Sequence, residues 1–372
     1  MKKISKSILI AAGGTGGHLF PAQALASHLK KKDFAYEIMF MGKGLATNPF
    51  FQRDLFPYKD VESAPFSRKN GIENIKALCK GTWQAFCFLR KLRPEVVVGF
   101  GSFHSFPVLL AAKLRGIPVI IFESNSIPGK VNRLFSQVAA FSTVQFPIAK
   151  KYLKGKCFEV RVPFWRFRES DSVSKEEALA YFSLSPNVCT FLVFGGSQGA
   201  RFINEVFIDA LQAMGSWVKH LQVIHLVGKS TSQEEMKKIY QDKGILACVK
   251  SFEENMQFAW ALADVAVCRS GAATLSELIH FEVPAILIPY PSAADDHQLK
   301  NAIFMEEIGG AFCLEEKSIC TDNLRHLIEQ FVDSNNKIAE TMKASIQEFK
   351  KNQASFSLSD LVEEFIQKKG KT

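Results

Sequence analysis

The sequence predicts an α/β protein of two doubly wound, Rossmann-like domains facing a cleft, each a parallel sheet with helices on both faces. Three observations carry this. Short apolar runs alternate with helix-length amphipathic segments, the pattern of parallel βαβ units. The series runs once and restarts near residue 189. In each series the first apolar run ends in a glycine turn, Ala12-Gly-Gly-Thr-Gly-Gly-His18 in one and Gly195-Gly-Ser-Gln-Gly-Ala-Arg201 in the other. At 372 residues the chain has room for two or three domains, each long enough for its own core.

The first series places strands at Ile8–Ala12, Glu37–Gly42, Glu95–Gly99, Val119–Glu123 and Ala140–Val144. Runs this short, rich in Val, Ile and Phe, fit strands buried on both faces. The second series gives Thr190–Phe194, Gln222–Val227, Cys248–Ser251, Val265–Cys268 and Ala285–Ile288. Between them Val160-Arg-Val-Pro-Phe-Trp165 reads as a hinge, with Pro163 fixing one backbone angle. Residues 72–93 are helical by spacing: Ile72, Ile75, Leu78, Cys79, Trp83 and Phe86 form one stripe, flanked by Lys76, Lys80, Arg90, Lys91 and Arg93. Asn336 to Thr372 has few turn signals and reads as helical throughout. The division expected is an N-terminal domain over 1–160, a C-terminal domain over 161–340, and a C-terminal helix over 341–372 that crosses back onto the first domain.

Hydrophobic content of 47% with 22% charged residues is that of a folded protein. Forty-six basic against 37 acidic residues give a net charge of +9, which favours anionic partners: nucleic acid, phosphorylated substrates or acidic lipid. The sign alone does not choose among them. The eight cysteines include no C-x-x-C pair and read as reduced core thiols. The basic start Met-Lys-Lys-Ile-Ser-Lys-Ser leads through a short apolar run straight into the glycine turn, so that run reads as strand one and not as a signal peptide. No apolar run reaches the ~18 residues of a membrane span, so a cytoplasmic protein with at most peripheral membrane contact is expected.

Glycines at a strand-to-helix turn let backbone N–H groups approach an anion at a helix N-terminus. Ligands of open parallel sheets lie beyond the carboxyl ends of the strands, so both turns are expected at the cleft. The first turn is not a dinucleotide fingerprint: the third glycine of G-x-G-x-x-G would fall at Leu19, and the second strand ends Met41-Gly42 without a ribose-binding acid. There is no G-x-x-x-x-G-K-[ST]. A nicotinamide dehydrogenase and a P-loop nucleotidase are both disfavoured.

His18 opens the helix after the first turn, where the positive dipole end keeps an imidazole neutral and able to accept a proton. The alternative is a histidine that caps or packs. In Arg269-Ser-Gly-Ala-Ala-Thr-Leu-Ser-Glu277 small residues again put amides at a helix start, and Glu277 is placed to grip vicinal ribose hydroxyls or else is an ordinary surface acid. In Asp296-His-Gln-Leu-Lys-Asn-Ala302, His297, Gln298 and Asn301 offer neutral donors and acceptors for sugar hydroxyls, or a plain polar helix start. The 72–93 stripe with its basic flanks fits an anionic membrane surface, or faces the core.

Together Gly13-Gly-Thr-Gly-Gly-His-Leu-Phe-Pro-Ala22, Gly195 to Arg201, Cys268 to Glu277 and Asp296 to Ala302, in this order and spacing, resemble the bacterial MurG family across nearly the whole chain. The resemblance implies a GT-B glycosyltransferase of peptidoglycan synthesis. Such an enzyme moves N-acetylglucosamine (GlcNAc) from UDP-GlcNAc to the muramoyl 4-hydroxyl of undecaprenyl-linked lipid I, giving lipid II. It implies inversion to a β(1→4) linkage, UDP stabilised by amides and a helix dipole, and no cofactor or metal. It further implies peripheral residence on the cytoplasmic face of the inner membrane, no nucleic acid, and a place in a cell-wall synthesis complex serving cell shape and division.

Carried over by position, Ser197, Gln198 and Gly199 meet the diphosphate, Glu277 the ribose, and Phe252 and Glu253 the uracil, largely through backbone. Arg269, Ala272, Ala273 and Thr274 line the nucleotide-sugar pocket, and His297 and Gln298 hold the GlcNAc hydroxyls. Thr15, Gly16, Gly17, Asn125 and Arg166 also count as donor contacts. On the acceptor side stand Gly13, Gly14, Ser102, His104, Glu123, Asn125 and Asn132, with Thr15 and Gly16 beside them and His18 as the general base. Ile75, Trp83, Phe86, Lys76 and Lys80 form the membrane face. The chain departs from the family pattern at three places. The link reads Arg161-Val-Pro-Phe-Trp165 with arginine only at 166, Phe122 replaces a histidine before Glu123, and His297 stands where some members have glutamine. A UDP-GlcNAc 2-epimerase of the same architecture and a non-catalytic nucleotide-sugar-binding scaffold remain as alternatives.

Overall fold

A computed structural model describes residues 6–31, 36–66, 71–161, 164, 173–196, 199–333, 335, 337–353 and 356–369. The chain divides into two compact units, Met1–Trp165 with Gln353–Thr372, and Arg166–Asn352.

The first unit runs β1 (Lys6–Ala11), α1 (Gly16–Lys31), β2 (Tyr36–Gly42), β3 (Tyr58–Asp60), α2 (Gly71–Leu92), β4 (Val96–Gly99), α3 (Ser102–Leu114), β5 (Val119–Glu123), α4 (Lys130–Ser136), β6 (Phe141–Val144) and β7 (Cys157–Glu159). These strands make one sheet in the order β3-β2-β1-β4-β5-β6-β7, with every pair parallel. Alternation along β1 divides its side chains between two cores. Ile8 and Ile10 pack with Leu19, Leu25 and Leu29 of α1, and Leu9 and Ala11 with Ala85 and Leu89 of α2 and Val108 and Leu109 of α3.

The second unit runs α5 (Lys175–Phe182), β8 (Cys189–Phe194), α6 (Arg201–Ala213), β9 (Leu221–Leu226), α7 (Gln233–Asp242), β10 (Leu246–Lys250), α8 (Met256–Leu262), β11 (Val265–Cys268), α9 (Ala272–Phe281), β12 (Ala285–Leu287), α10 (His297–Glu307), β13 (Ala311–Cys313), α11 (Thr321–Val332) and α12 (Ile338–Lys351). Its sheet is parallel in the order β10-β9-β8-β11-β12-β13. Phe191 and Val193 face Phe207 and Leu211 of α6 and Leu324 and Ile328 of α11. On the other face Phe194 meets Trp260 of α8 edge-on at 5.6 Å.

Four expectations need correction. β3, β7 and β13 lie at sheet edges: β3 and β7 lack the apolar run that marks a strand buried on both faces, and β13 is only the three residues Ala311–Cys313. The C-terminal stretch is two helices: α12 ends at Lys351 and α13 spans Leu358–Lys369. Ser357 and Asp360 start α13, each accepting the other's backbone N–H, a capping box that closes one helix off from the next. α13 packs Val362 and Ile366 with α1 in the first unit. The cysteines are all free, but only Cys268 is buried, and Cys79, Cys87 and Cys320 are exposed. Finally, α2 turns Gly81, Ala85 and Leu89 inward, so Ile72, Ile75 and Trp83 of the stripe stand 73%, 62% and 68% exposed. Phe86 is instead half-buried against the core, stacked on Trp83, with Arg115 over its ring. Pro163 and Trp165 of the expected hinge lie outside the described residues. No described helix is long and apolar enough to cross a membrane.

Candidate active site

In both sheets the strand order reverses beside the first strand of the unit, between β1 and β4 and between β8 and β11. The crevice beyond such a reversal is where open α/β sheets take ligands. All four turns that leave these strands carry residues singled out from the sequence.

In the first unit the turn after β1 holds Gly13, Gly14 and Thr15. Gly14 has φ +88°, and a Cβ there would stand 3.0 Å from the His104 ring, so position 14 needs glycine on both counts. Two side chains brace the turn. Asn48 donates from Nδ2 to the Gly14 carbonyl at 2.6 Å, and His104 of α3 packs against Gly13 and Gly14. His104 Nδ1 lies 2.7 Å from Ser102 Oγ and its ring stacks on Phe103. Burial, helped by the Lys43 charge, holds His104 down to about 4, so it is neutral at pH 7. His18 sits half-buried in the first turn of α1, its Nδ1 3.5 Å from Thr15 Oγ1. At the start of α3, Gly101 and Ser102 both take positive φ, 84° and 64°. For serine this is a strained conformation, of the kind that gathers at functional sites.

Glu123 and Asn132, expected on the acceptor side, are both buried and hydrogen-bonded within the loop. The Glu123 carboxylate is buried and receives N–H bonds from Asn125 backbone and side chain, Gly129 backbone and Asn132 Nδ2, at 2.9 to 3.1 Å. Burial raises its pKa against the pull of these donors. Asn132 is buried too, spanning the Phe122 carbonyl and Glu123 and lying against Gly101. Both side chains shape the loop that presents Asn125. Phe122, in the place of the family histidine, is a core residue against Phe100.

In the second unit Gly196 and Gly199 have φ +87° and +78°, and the Gly199 N–H bonds the Gly196 carbonyl at 3.0 Å. A Cβ on Gly199 would stand 2.8 Å from Gly228 Cα, a backbone-on-backbone approach that only glycine allows. Ser197, Gln198 and Arg166 lie outside the described residues. After β11, α9 opens with Gly271 as N-cap, so the amides of Ala272, Ala273 and Thr274 lie in its first turn, where no intrahelical acceptor exists. Glu277 follows on the same helix, and its charge, after burial, helps push the Cys268 thiol up, which sets the carboxylate near the end of β11.

Two charged residues expected at the nucleotide-sugar site have their side chains paired internally. Arg269 is buried, donating from Nη1 to the Ile288 and Pro289 carbonyls at 3.1 Å and pairing through Nη2 with Glu316 at 2.5 Å. It therefore holds the loop after β12. Glu253 accepts from Tyr181 Oη, Lys250 Nζ and the Asn255 N–H at 3.0, 2.6 and 2.8 Å, which leaves its backbone beside the exposed Phe252. Before α10, Asp295 and Asp296 take consecutive left-handed conformations, φ 52° and 53°. His297 and Gln298 follow, half-buried, with Gln298 Oε1 fixed on the Tyr290 N–H at 3.0 Å. Ser270 and Asn301 tie the starts of α9 and α10 together through Ser270 Oγ to the Gln298 carbonyl and Asn301 Nδ2 to the Ser270 carbonyl. Among the described residues no cluster of His, Cys, Asp and Glu could hold a metal ion.

Residues 8–142 match the glycosyltransferase family 28 N-terminal domain and residues 190–356 the family 28 C-terminal domain. The chain is 45% identical, over 85% of both chains, to the UDP-N-acetylglucosamine--N-acetylmuramyl-(pentapeptide) pyrophosphoryl-undecaprenol N-acetylglucosamine transferase of Protochlamydia amoebophila. It belongs to the bacterial MurG family. A relative of the same name from Chlamydia muridarum is 34% identical over 97% of this chain and 99% of its own. Among solved structures, Acinetobacter baumannii MurG superposes with a TM-score of 0.77 at 26% identity over 98% and 99% of the two chains. The chain is thus a glycosyltransferase with the two Rossmann-like domains of the GT-B fold. Within that family frame the sequence reading missed Asn48, which reaches the first turn from 34 residues away, and the buried neighbours of the second turn, Asn204, His225 and Tyr240. No local pattern marks either set.

Proposed function

We propose that this chain transfers GlcNAc from UDP-GlcNAc to the muramoyl 4-hydroxyl of lipid I, giving lipid II for peptidoglycan synthesis and, through it, cell shape and division. The observation that carries the reading is the 45% identity over 85% of a chain named for this transfer, with the family motifs at the strand-order reversals of both sheets. The acceptor oxygen attacks the anomeric carbon of GlcNAc, the bond to UDP breaks with inversion, His18 takes the hydroxyl proton, and UDP leaves with the bonding electrons. The second glycine turn and the start of α9 turn backbone amides and a positive dipole end, roughly half a charge, toward the departing diphosphate. Glu277 holds the ribose, the backbone at Phe252 and Glu253 the uracil, and His297 and Gln298 the sugar. Gly13 to Thr15, Ser102 and Asn125 take the acceptor, with Thr15, Gly16, Gly17 and Asn125 also reaching the donor. No metal enters this scheme, and EDTA is expected to leave turnover intact, measured as UDP release.

A lipid-linked acceptor requires work at a membrane surface. The exposed Ile72, Ile75 and Trp83 beside Lys76 and Lys80 support peripheral docking on anionic lipid at the cytoplasmic face of the inner membrane, apolar groups entering and lysines pairing with headgroups. Incubation of the purified chain with UDP-GlcNAc, with and without a lipid I analogue, tests the function. UDP release that depends on the acceptor supports it. Conversion to the manno epimer without acceptor marks an epimerase, and tight binding without turnover a scaffold.

A further inference from the structure

His225 lies in β9, has no part in the chemistry proposed for the second unit, and is wholly buried. Its Nδ1 is 2.8 Å from Tyr240 Oη of α7 and its Nε2 3.1 Å from Asn204 Oδ1 of α6. Asn204 Nδ2 donates to the Val227 carbonyl at 2.9 Å and to Thr231 Oγ1 at 2.8 Å. A backbone carbonyl only accepts, so the amide nitrogen must face Val227 and the amide oxygen the imidazole. His225 Nε2 therefore carries the ring proton, and Nδ1 accepts from the Tyr240 hydroxyl. Every polar atom of the His225 and Asn204 side chains is matched in this one arrangement. The ring stays neutral, since burial pushes it down to about 3.

This network ends at the second glycine turn. Asn204 stands in the first turn of α6, its N–H bonded to the carbonyl of the N-cap Ala200 at 3.1 Å. Val227, which Asn204 grips, immediately precedes Gly228, the residue whose Cα presses on Gly199. The amide of Asn204 thus clamps the start of α6 to the end of β9 where the two backbones touch.

We propose that Asn204, His225 and Tyr240 are positioning residues for the donor diphosphate, holding Gly199 and the first turn of α6 at a fixed aim. The proposal rests on reading that turn as the diphosphate site. The test compares UDP with uridine by calorimetric titration in the wild type, Tyr240→Phe, Thr231→Val, His225→Gln and His225→Leu. In Tyr240→Phe and Thr231→Val, each lacking one hydroxyl, the margin of UDP over uridine is expected to shrink about 3- to 10-fold while uridine affinity holds. KM for UDP-GlcNAc rises with it and KM for the lipid acceptor does not. His225→Gln, which keeps a donor and an acceptor, restores more of the margin than His225→Leu. Variants that lose thermal stability but keep the wild-type margin overturn the proposal and make the network core packing. A wild type that binds uridine as tightly as UDP overturns the diphosphate reading itself, and the proposal with it.

Discussion

The first glycine turn is braced by half-buried side chains and the second by backbone and a sealed polar network, and the contrast separates two kinds of chemistry. Around Gly14 the supports are Asn48 and His104, half-buried groups from other elements, beside a second histidine, His18. Around Gly199 the supports are the Gly228 backbone and a sealed polar network, and the nearby charges of Arg269 and Glu253 are tied up internally. The first unit offers titratable groups within reach of a ligand. The second offers mainly amides to the diphosphate, with Glu277 at the ribose and His297 at the sugar, which suits a site that must accept a diphosphate without moving protons.

The largest effect that sharpens this contrast is expected at His18. His18→Ala should lower turnover by about 10²- to 10⁴-fold with KM for UDP-GlcNAc little changed, in a UDP-release assay. Near-normal turnover removes the base from the first unit. Next comes Glu277→Ala, which should raise KM for UDP-GlcNAc by about 10- to 100-fold, the loss of a charged hydrogen bond to ribose, while kcat moves less. A fall in kcat alone would give Glu277 a role in the chemistry.

The buried histidines set a pH effect of intermediate size. His225 and His104 hold folded values of about 3 and about 4 against an ordinary 6.5. Below 6.5 the unfolded chain takes up protons that the native one refuses, so stability falls as pH falls toward 4 and, for His225, on toward 3. Urea unfolding of His225→Gln should show a slope shallower than wild type by up to ~1.4 kcal/mol per pH unit in that window. His104, partly solvated, adds in the same direction. An unchanged slope would mean that His225 is not neutral in the folded state. The smallest effect concerns the face of α2: Lys76→Ala with Lys80→Ala should weaken binding to anionic vesicles several-fold, at about 1 kcal/mol per charge, and the wild-type binding should fall with salt. Binding insensitive to both would take the membrane away from this face.

The central strands were legible because a strand buried on both faces writes a continuous apolar run, as in Val96–Gly99 and Val265–Cys268. Tyr58–Asp60 and Cys157–Glu159 write none, since an edge strand is half free of the core. The break before α13 went unread: its signal, Ser357-Leu-Ser-Asp360, is short, and the helix formers on either side masked it. Glycine turns declare themselves locally, because their φ and close approaches are demands on the turn residue itself. What a charged side chain pairs with is not local. The sequence marks Arg269 and Glu123 as site residues but not their partners, Glu316 and two carbonyls for the one and four N–H groups for the other.

The separation of proton chemistry from donor binding is tested most directly by titrating UDP-GlcNAc into His18→Ala and Glu277→Ala under the same conditions. The account predicts wild-type affinity for His18→Ala and an affinity about 10- to 100-fold weaker for Glu277→Ala. Loss of binding in His18→Ala, or its retention in Glu277→Ala, would contradict it.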